Sequence, residues 1–148
     1  MSKAGGYYPP VGFHFLVKFQ GMELDNDTRF QSVSGLSVEV ETESFKEGGE
    51  NRFEWRLPVR TKYTDLSLKR GLLVNSQVIG WFLAAFEQKV FQPIDILISL
   101  LNEKHEPVKS WLVFGAWPKK WTVSDFNAQE NTIVVETLDL CYTHFKTL

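Results

Sequence analysis

Three histidines, one cysteine and a row of three glutamates are the side chains in this sequence with the most chemistry to offer. His14, His105 and His144 are far apart along the chain, without the close spacing of a metal-ligand set, and Cys141 alone cannot build a zinc knuckle. His14 and His144 fall on predicted strands, on polar or mixed faces, and read as exposed or interface histidines. His105 sits in a predicted turn beside Glu103 and Glu106 and reads as solvated. Glu39, Glu41 and Glu43 alternate along one strand face, where two carboxylates could in principle act as acid and base. A solvated strand face is the usual origin of such a row. No G-x-S-x-G elbow, H-E-x-x-H pair or P-loop is present. Gly48-Gly49 lies between charged residues and before a strand, so it reads as a hairpin turn and not as a phosphate cradle. Lys119-Lys120-Trp121 mixes cations with an aromatic ring as single-strand binders do, yet two lysines snorkelling around a packed tryptophan explain it better. The sequence therefore predicts no catalytic residue, no cofactor site and no metal site.

Composition narrows the class further. With 148 residues, 43% hydrophobic and 23% charged, the chain fits one folded domain spanning 1–148. A net charge of -2 gives no support to general nucleic-acid binding. One cysteine excludes an intramolecular disulfide and suits a reducing compartment. The opening "MSKAGGYYPPVG" lacks the apolar centre of a signal peptide, and no apolar run is long enough to span a bilayer. The expectation is a protein made and folded in the cytoplasm.

The elements that would position these side chains are mostly strands. Residues 1–12, with Gly5-Gly6 and Pro9-Pro10, read as an extended arm. "FHFLVKFQ" alternates Phe13, Phe15, Val17 and Phe19 against a more polar face, the mark of a half-buried strand. The next alternation sets Leu36, Val38 and Val40 against Ser37, Glu39 and Glu41, with Gly35 at a bulge or bend. "RFEWRLPVRTK" alternates through Phe53, Trp55 and Leu57, and Pro58 predicts an edge or a break in pairing. "TDLSLKRG" continues through Leu66 and Leu68. One helix is predicted over about 76–89, where Val78, Trp81, Phe82, Ala85 and Phe86 recur at helical spacing after a cap at Asn75 or Ser76. Strands then return: "IDILISLLN", "VKSWLVFGAWP" after the polar turn "EKHEP", "KKWTVSDFN", and a long final "TIVVETLDLCYTHF". The predicted class is mainly β: an antiparallel barrel or sandwich of about six to eight strands, one flanking helix, and a long charged hairpin loop at about 44–60.

Five tryptophans and twelve phenylalanines exceed what these elements readily hide, and exposed apolar patches mark contact sites. Seven basic residues interleaved with acidic ones lie between Ser44 and Gly71, a pattern that bonds across an interface while resisting uncontrolled aggregation. Two other readings compete with self-assembly. A monomeric small-ligand-binding β-barrel would need an apolar cavity and no charged hairpin. A hydrolase would need a nucleophile and base that the sequence does not offer.

The ordered words "PPVGFHFLVKF", "FQSVSGLSVEVETESFKEGGEN", "LPVRTKYTDLSLKRGL", "DILISLLNEKHEPVKSW", "GAWPKKW" and "IVVETLDL" cover about residues 12–145. In that order and spacing the chain resembles the tail-tube (inner tube) family of contractile phages and bacterial contractile injection systems. One departure is Val59 after Pro58, where family members commonly carry Pro-Gly. The resemblance implies a β-barrel with one flanking helix, assembled as hexameric rings that stack into a hollow tube within a sheath. Its implied partners are further copies of the chain, sheath, baseplate and tail-terminator proteins, and protein or DNA cargo in the lumen; it implies no small-molecule substrate. It places Lys46, Glu47, Gly48, Gly49, Glu50, Asn51 and Arg52 on a hairpin that reaches another subunit or ring. It also places Lys69, Arg70 and Gly71 at a subunit contact. Assembly in the bacterial cytoplasm, into a phage tail, released particle or envelope-anchored apparatus, is the matching location.

Overall fold

The computed structural model describes residues 13–22, 28–45, 55–73, 75–125 and 134–148. Among these residues, ten strands and one helix follow in chain order: β1 (His14–Phe19), β2 (Arg29–Phe30), β3 (Ser32–Ser34), β4 (Val38–Phe45), β5 (Trp55–Tyr63), β6 (Leu66–Gly71), α1 (Gln77–Gln88), β7 (Ile94–Leu101), β8 (Pro107–Val123), β9 (Val135–Cys141) and β10 (His144–Thr147). The predicted terminal arm at 1–12 and the hairpin tip lie outside the described residues.

Among the described residues every strand pair is antiparallel, and the main sheet runs β2-β1-β7-β8-β9-β6-β3, with β10 added along β8. Its centre is β8, 17 residues long. The first half of β8 pairs with β7 and β10, and the second half with β9. The sequence pattern predicts two strands over β8 and one over β9–β10, whereas β8 is continuous and β9 and β10 are separate. Gly115 and Thr143 account for the difference. Gly115 takes φ +65, a left-handed conformation that favours glycine, and a Cβ there would lie 3.2 Å from Thr143 Cγ2. Opposite it, the Thr143 amide donates to the Phe114 carbonyl at 2.9 Å. On the other side of β8, Ile94 pairs with Ala116 and Ile96 with Val113, so β8 carries one extra residue here, a β-bulge.

Residues 29–34 join the two edges of this folded sheet. Phe30 pairs with Phe15 of β1, whereas Val33 pairs with Leu68 of β6. Between them the Gln31 amide donates to the Lys69 carbonyl at 2.8 Å. The result is sandwich-like, without a continuous closed barrel. Val17, Phe19, Phe30, Leu66, Leu68, Ile96, Ile98, Val113, Leu138 and Leu140 fill the space between the layers. The alternation in β1, β6 and β7 points these residues inward.

Helix α1 adds Val78, Phe82 and Ala85 to the core, with Trp81 and Phe86 half-buried at its margin. Ser76 is the N-cap: its Oγ accepts from the Ile79 amide at 3.1 Å. The helix ends at Lys89, whose backbone is left-handed at φ 59 and whose amide closes the last turn.

β4 and β5 form a separate two-stranded sheet. Their pairing begins at Val38↔Tyr63 and reaches Phe45↔Trp55, so the predicted loop at 44–60 is in its described part a paired β-arm. Its register shifts after Glu41, where Pro58 opposes Thr42, in line with the break expected at that proline.

Candidate functional site

The residues with chemistry resolve mostly into structural pairs. His14 Nε2 and His105 Nδ1 lie 3.0 Å apart although 91 residues separate them. This hydrogen bond needs one protonated and one bare nitrogen, so it clamps the β7–β8 turn onto the start of β1. His105 holds that position with a left-handed backbone, φ 63. His144 stacks on Phe114 at 4.5 Å between ring centres. Among the described residues, no group of three or more His, Cys, Asp or Glu gathers to hold a metal.

Among the described residues, Arg70 and Glu136 make the most buried ion pair. Arg70 Nε donates to Glu136 Oε2 at 2.6 Å, with both side chains almost wholly out of water. The rest of each group is also engaged. Arg70 Nη2 donates to Ser76 Oγ at 2.9 Å, Trp121 Nε1 donates to Glu136 Oε1 at 3.1 Å, and the guanidinium sits 4.7 Å from the Phe30 ring centre. One network thereby ties β6, β9, β8 and the cap of α1 together. Among the described residues, no buried side-chain nitrogen or oxygen lacks a partner.

Of the expected contact residues Lys69, Arg70 and Gly71, then, Arg70 spends its charge inside the subunit. Lys69 is exposed and Gly71 half-buried. Lys46, Glu47, Gly48, Gly49, Glu50, Asn51 and Arg52 lie outside the described residues.

The arm is where surface chemistry concentrates. Its strands are exposed on both faces, and Val38, Val40, Phe45, Trp55, Leu57 and Val59 each show 45–54% of their surface. Val38 and Val40, the apolar side of the predicted alternation, stay exposed along this two-stranded ladder. Charges on the arm oppose each other, Glu39 across from Lys62 and Glu41 bonded to Arg60 at 2.6 Å. These exposed pairs align the two strands more than they stabilise them.

The base of the arm is anchored, in contrast to its length. Tyr63 packs edge-on against Tyr142, His144 and Phe145. Tyr142 Oη donates to the Gly35 carbonyl at 3.0 Å, and the Thr64 amide to the Ser37 carbonyl at 3.2 Å. Burial, then the charge of Asp65 and the neighbouring Tyr63, pushes the Tyr142 hydroxyl up to about 12. Gly35 has φ +93, and a Cβ there would sit 1.9 Å from the Asp65 carbonyl oxygen. Asp65 also pairs with Lys119, whose ammonium it holds above its usual range through that bond and its charge. Cys141 Sγ lies 3.7 Å from Asp65 Oδ1, and burial followed by that carboxylate pushes the thiol up. A thiol held protonated is a poor nucleophile. These contacts hold a projecting arm at a fixed root.

The family model described as T4-like virus tail tube protein gp19 matches residues 11–146. The chain belongs to this tail tube family. Two solved assemblies contain similar chains. One is the anti-feeding prophage (AFP) baseplate, 6-fold symmetrised: 30% identity, TM-score 0.81, 97% of each chain covered. The other is the sheath-tube complex of an extracellular contractile injection system, PVC, in its extended state: 25% identity, TM-score 0.78, covering 100% of this chain and 98% of that one. Hcp1 from Flavobacterium johnsoniae shares the fold at 11% identity and TM-score 0.54, over 90% and 94% of the two chains. Among curated proteins, none matches significantly. For a tail tube protein, the sandwich with one flanking helix is the expected body, and the β-arm is an exposed extension of it.

Proposed function

We propose that this tail tube protein is a structural subunit without catalytic activity, whose copies form hexameric rings that stack into a hollow tube. The tube lies inside a contractile sheath, starts at a baseplate, ends at a terminator and conducts protein or DNA cargo through a target envelope. Assembly takes place in the bacterial cytoplasm. The observation that carries this reading is the arm, which holds apolar side chains in water along a two-stranded ladder rooted in the sandwich. A two-stranded sheet is marginal by itself and gains most from being covered. Membership of the family and likeness to chains from a 6-fold symmetrised baseplate and a sheath-tube complex support the same reading.

Within it, Lys46 to Arg52 reach a neighbouring subunit or ring, and Lys69 and Gly71 lie at a second contact. Such contacts must bury more than roughly 1,000 Å² to hold a specific assembly. Negative-stain electron microscopy of the purified protein is the direct test. Rings or rods of uniform width are expected; a particle that stays a small monomer at every concentration would overturn the proposal.

A further inference from the structure

The sandwich carries an exposed apolar ledge as well as the arm. Phe91, in the stretch after α1, and Trp117, on β8, meet edge-to-face at 5.8 Å between ring centres. They remain 51% and 37% exposed, beside Val90, and with Pro93 line a shallow cleft of about 310 Å³. Large rings placed in water beside a cleft are the kind of surface that another apolar group fills.

Resting on the tube reading above, we propose that this ledge is the socket for the outer part of the β-arm of a second copy of the chain. Three observations select that occupant. The outer arm presents the matching chemistry, Phe45 and Leu57 in water with Glu43 directly across from Leu57. Exposed Lys89 stands two residues before Phe91 and supplies the opposite charge. The third observation is placement. Trp117 is paired with Cys141, whose Sγ touches Asp65, two residues beyond the end of β5. The ledge therefore lies near the root of the arm. Phe45↔Trp55 is seven residues farther out than Val38↔Tyr63, roughly 23 Å at the rise of a β-strand. A straight arm cannot return its outer end to its own root, so hook and socket on one chain are offset and meet only between copies. Two different surfaces that fit each other in this way make a heterologous contact, which closes into a ring or continues as a filament.

The test uses the full chain in a Cys141→Ser background. Leu57→Cys combined with Phe91→Cys should form disulfides between subunits when assembled protein is oxidised, giving a ladder of covalent oligomers; either cysteine alone should stop at dimers or below. Phe91→Ser with Trp117→Ala should lower the yield of rings or rods about tenfold or more, the scale of a lost apolar hot spot. The circular dichroism of the subunit should stay as it was and its melting should fall by no more than a few degrees, because both side chains stand partly in water and outside the buried core. Normal rods from that double variant, no ladder within well-formed rods, or a Phe91→Cys thiol that remains open to labelling in rods would each overturn the ledge as socket while leaving the tube intact. A parent protein that never assembles would overturn both.

Discussion

At the scale of single residues, the buried Arg70–Glu136 pair matters most for stability. Taking both charges out of water is costly, and the pair is tolerable because Ser76 and Trp121 satisfy what the salt bridge leaves over. Removing one partner strands the other. Glu136→Ala is expected to destabilise the subunit by about 3–5 kcal/mol in urea unfolding. Replacing Arg70 and Glu136 together with apolar residues of similar volume should cost far less than the sum of the single changes. Tyr142 gives a second expectation, on pH. Its pKa is raised from 10.0 to about 12 in the folded state, first by burial and then by Asp65 and Tyr63. The unfolded chain therefore loses this proton first as pH rises. The stabilisation is complete below about pH 10 and is lost between there and about pH 12. Ultraviolet titration should show one tyrosine ionising late, and Tyr142→Phe should remove that late step and soften the alkaline decline in stability.

At the scale of elements, the root of the arm depends on a glycine that no side chain can replace. Gly35→Ala would force a Cβ into the Asp65 carbonyl at a left-handed φ. It should cost at least about 2 kcal/mol in denaturant unfolding and loosen the Tyr142–Gly35 bond. Gly35 was legible as a bend because it interrupts an alternating run, but the clash partner 30 residues away was not. The same division holds elsewhere. Helix α1 was legible to within a residue at each end, since its apolar spacing and Ser76 cap are local signals. β4 was legible as a strand but its exposure was not, because alternation reports that one face is apolar and not what covers it. For an arm, the cover is outside the chain. The His14–His105 and Arg70–Glu136 pairs, 91 and 66 residues apart, were invisible because only the sheet's return brings them together. The continuity of β8 through Gly115 and the break between β9 and β10 were missed for a related reason. Gly115 looks like any glycine in a strand until Thr143 is seen opposite.

At the scale of the whole molecule, folding and assembly make separate demands on the sequence, and the arm is where they part. The core of the subunit is built from the sandwich and α1, and none of its buried side chains comes from β4 or β5. Shortening the arm at its outer end should therefore leave the fold intact. Removing Lys46–Asn51 takes out the connection between β4 and β5 beyond the last described pair, Phe45↔Trp55, and retains Tyr63 in its aromatic anchor. The expected product is a folded subunit with a melting temperature within a few degrees of the parent. Surface changes away from buried networks rarely exceed about 0.5 kcal/mol, which makes a large shift the sign of an unforeseen role in folding. Assembly should respond differently, because the deleted residues carry the charges assigned to the contact between subunits or rings. Size-exclusion chromatography and negative-stain images of the same preparation should show folded protein without rods. Rods of normal length from the shortened chain would mean that stacking is carried by other surfaces, and that the charged tip serves a contact outside the tube.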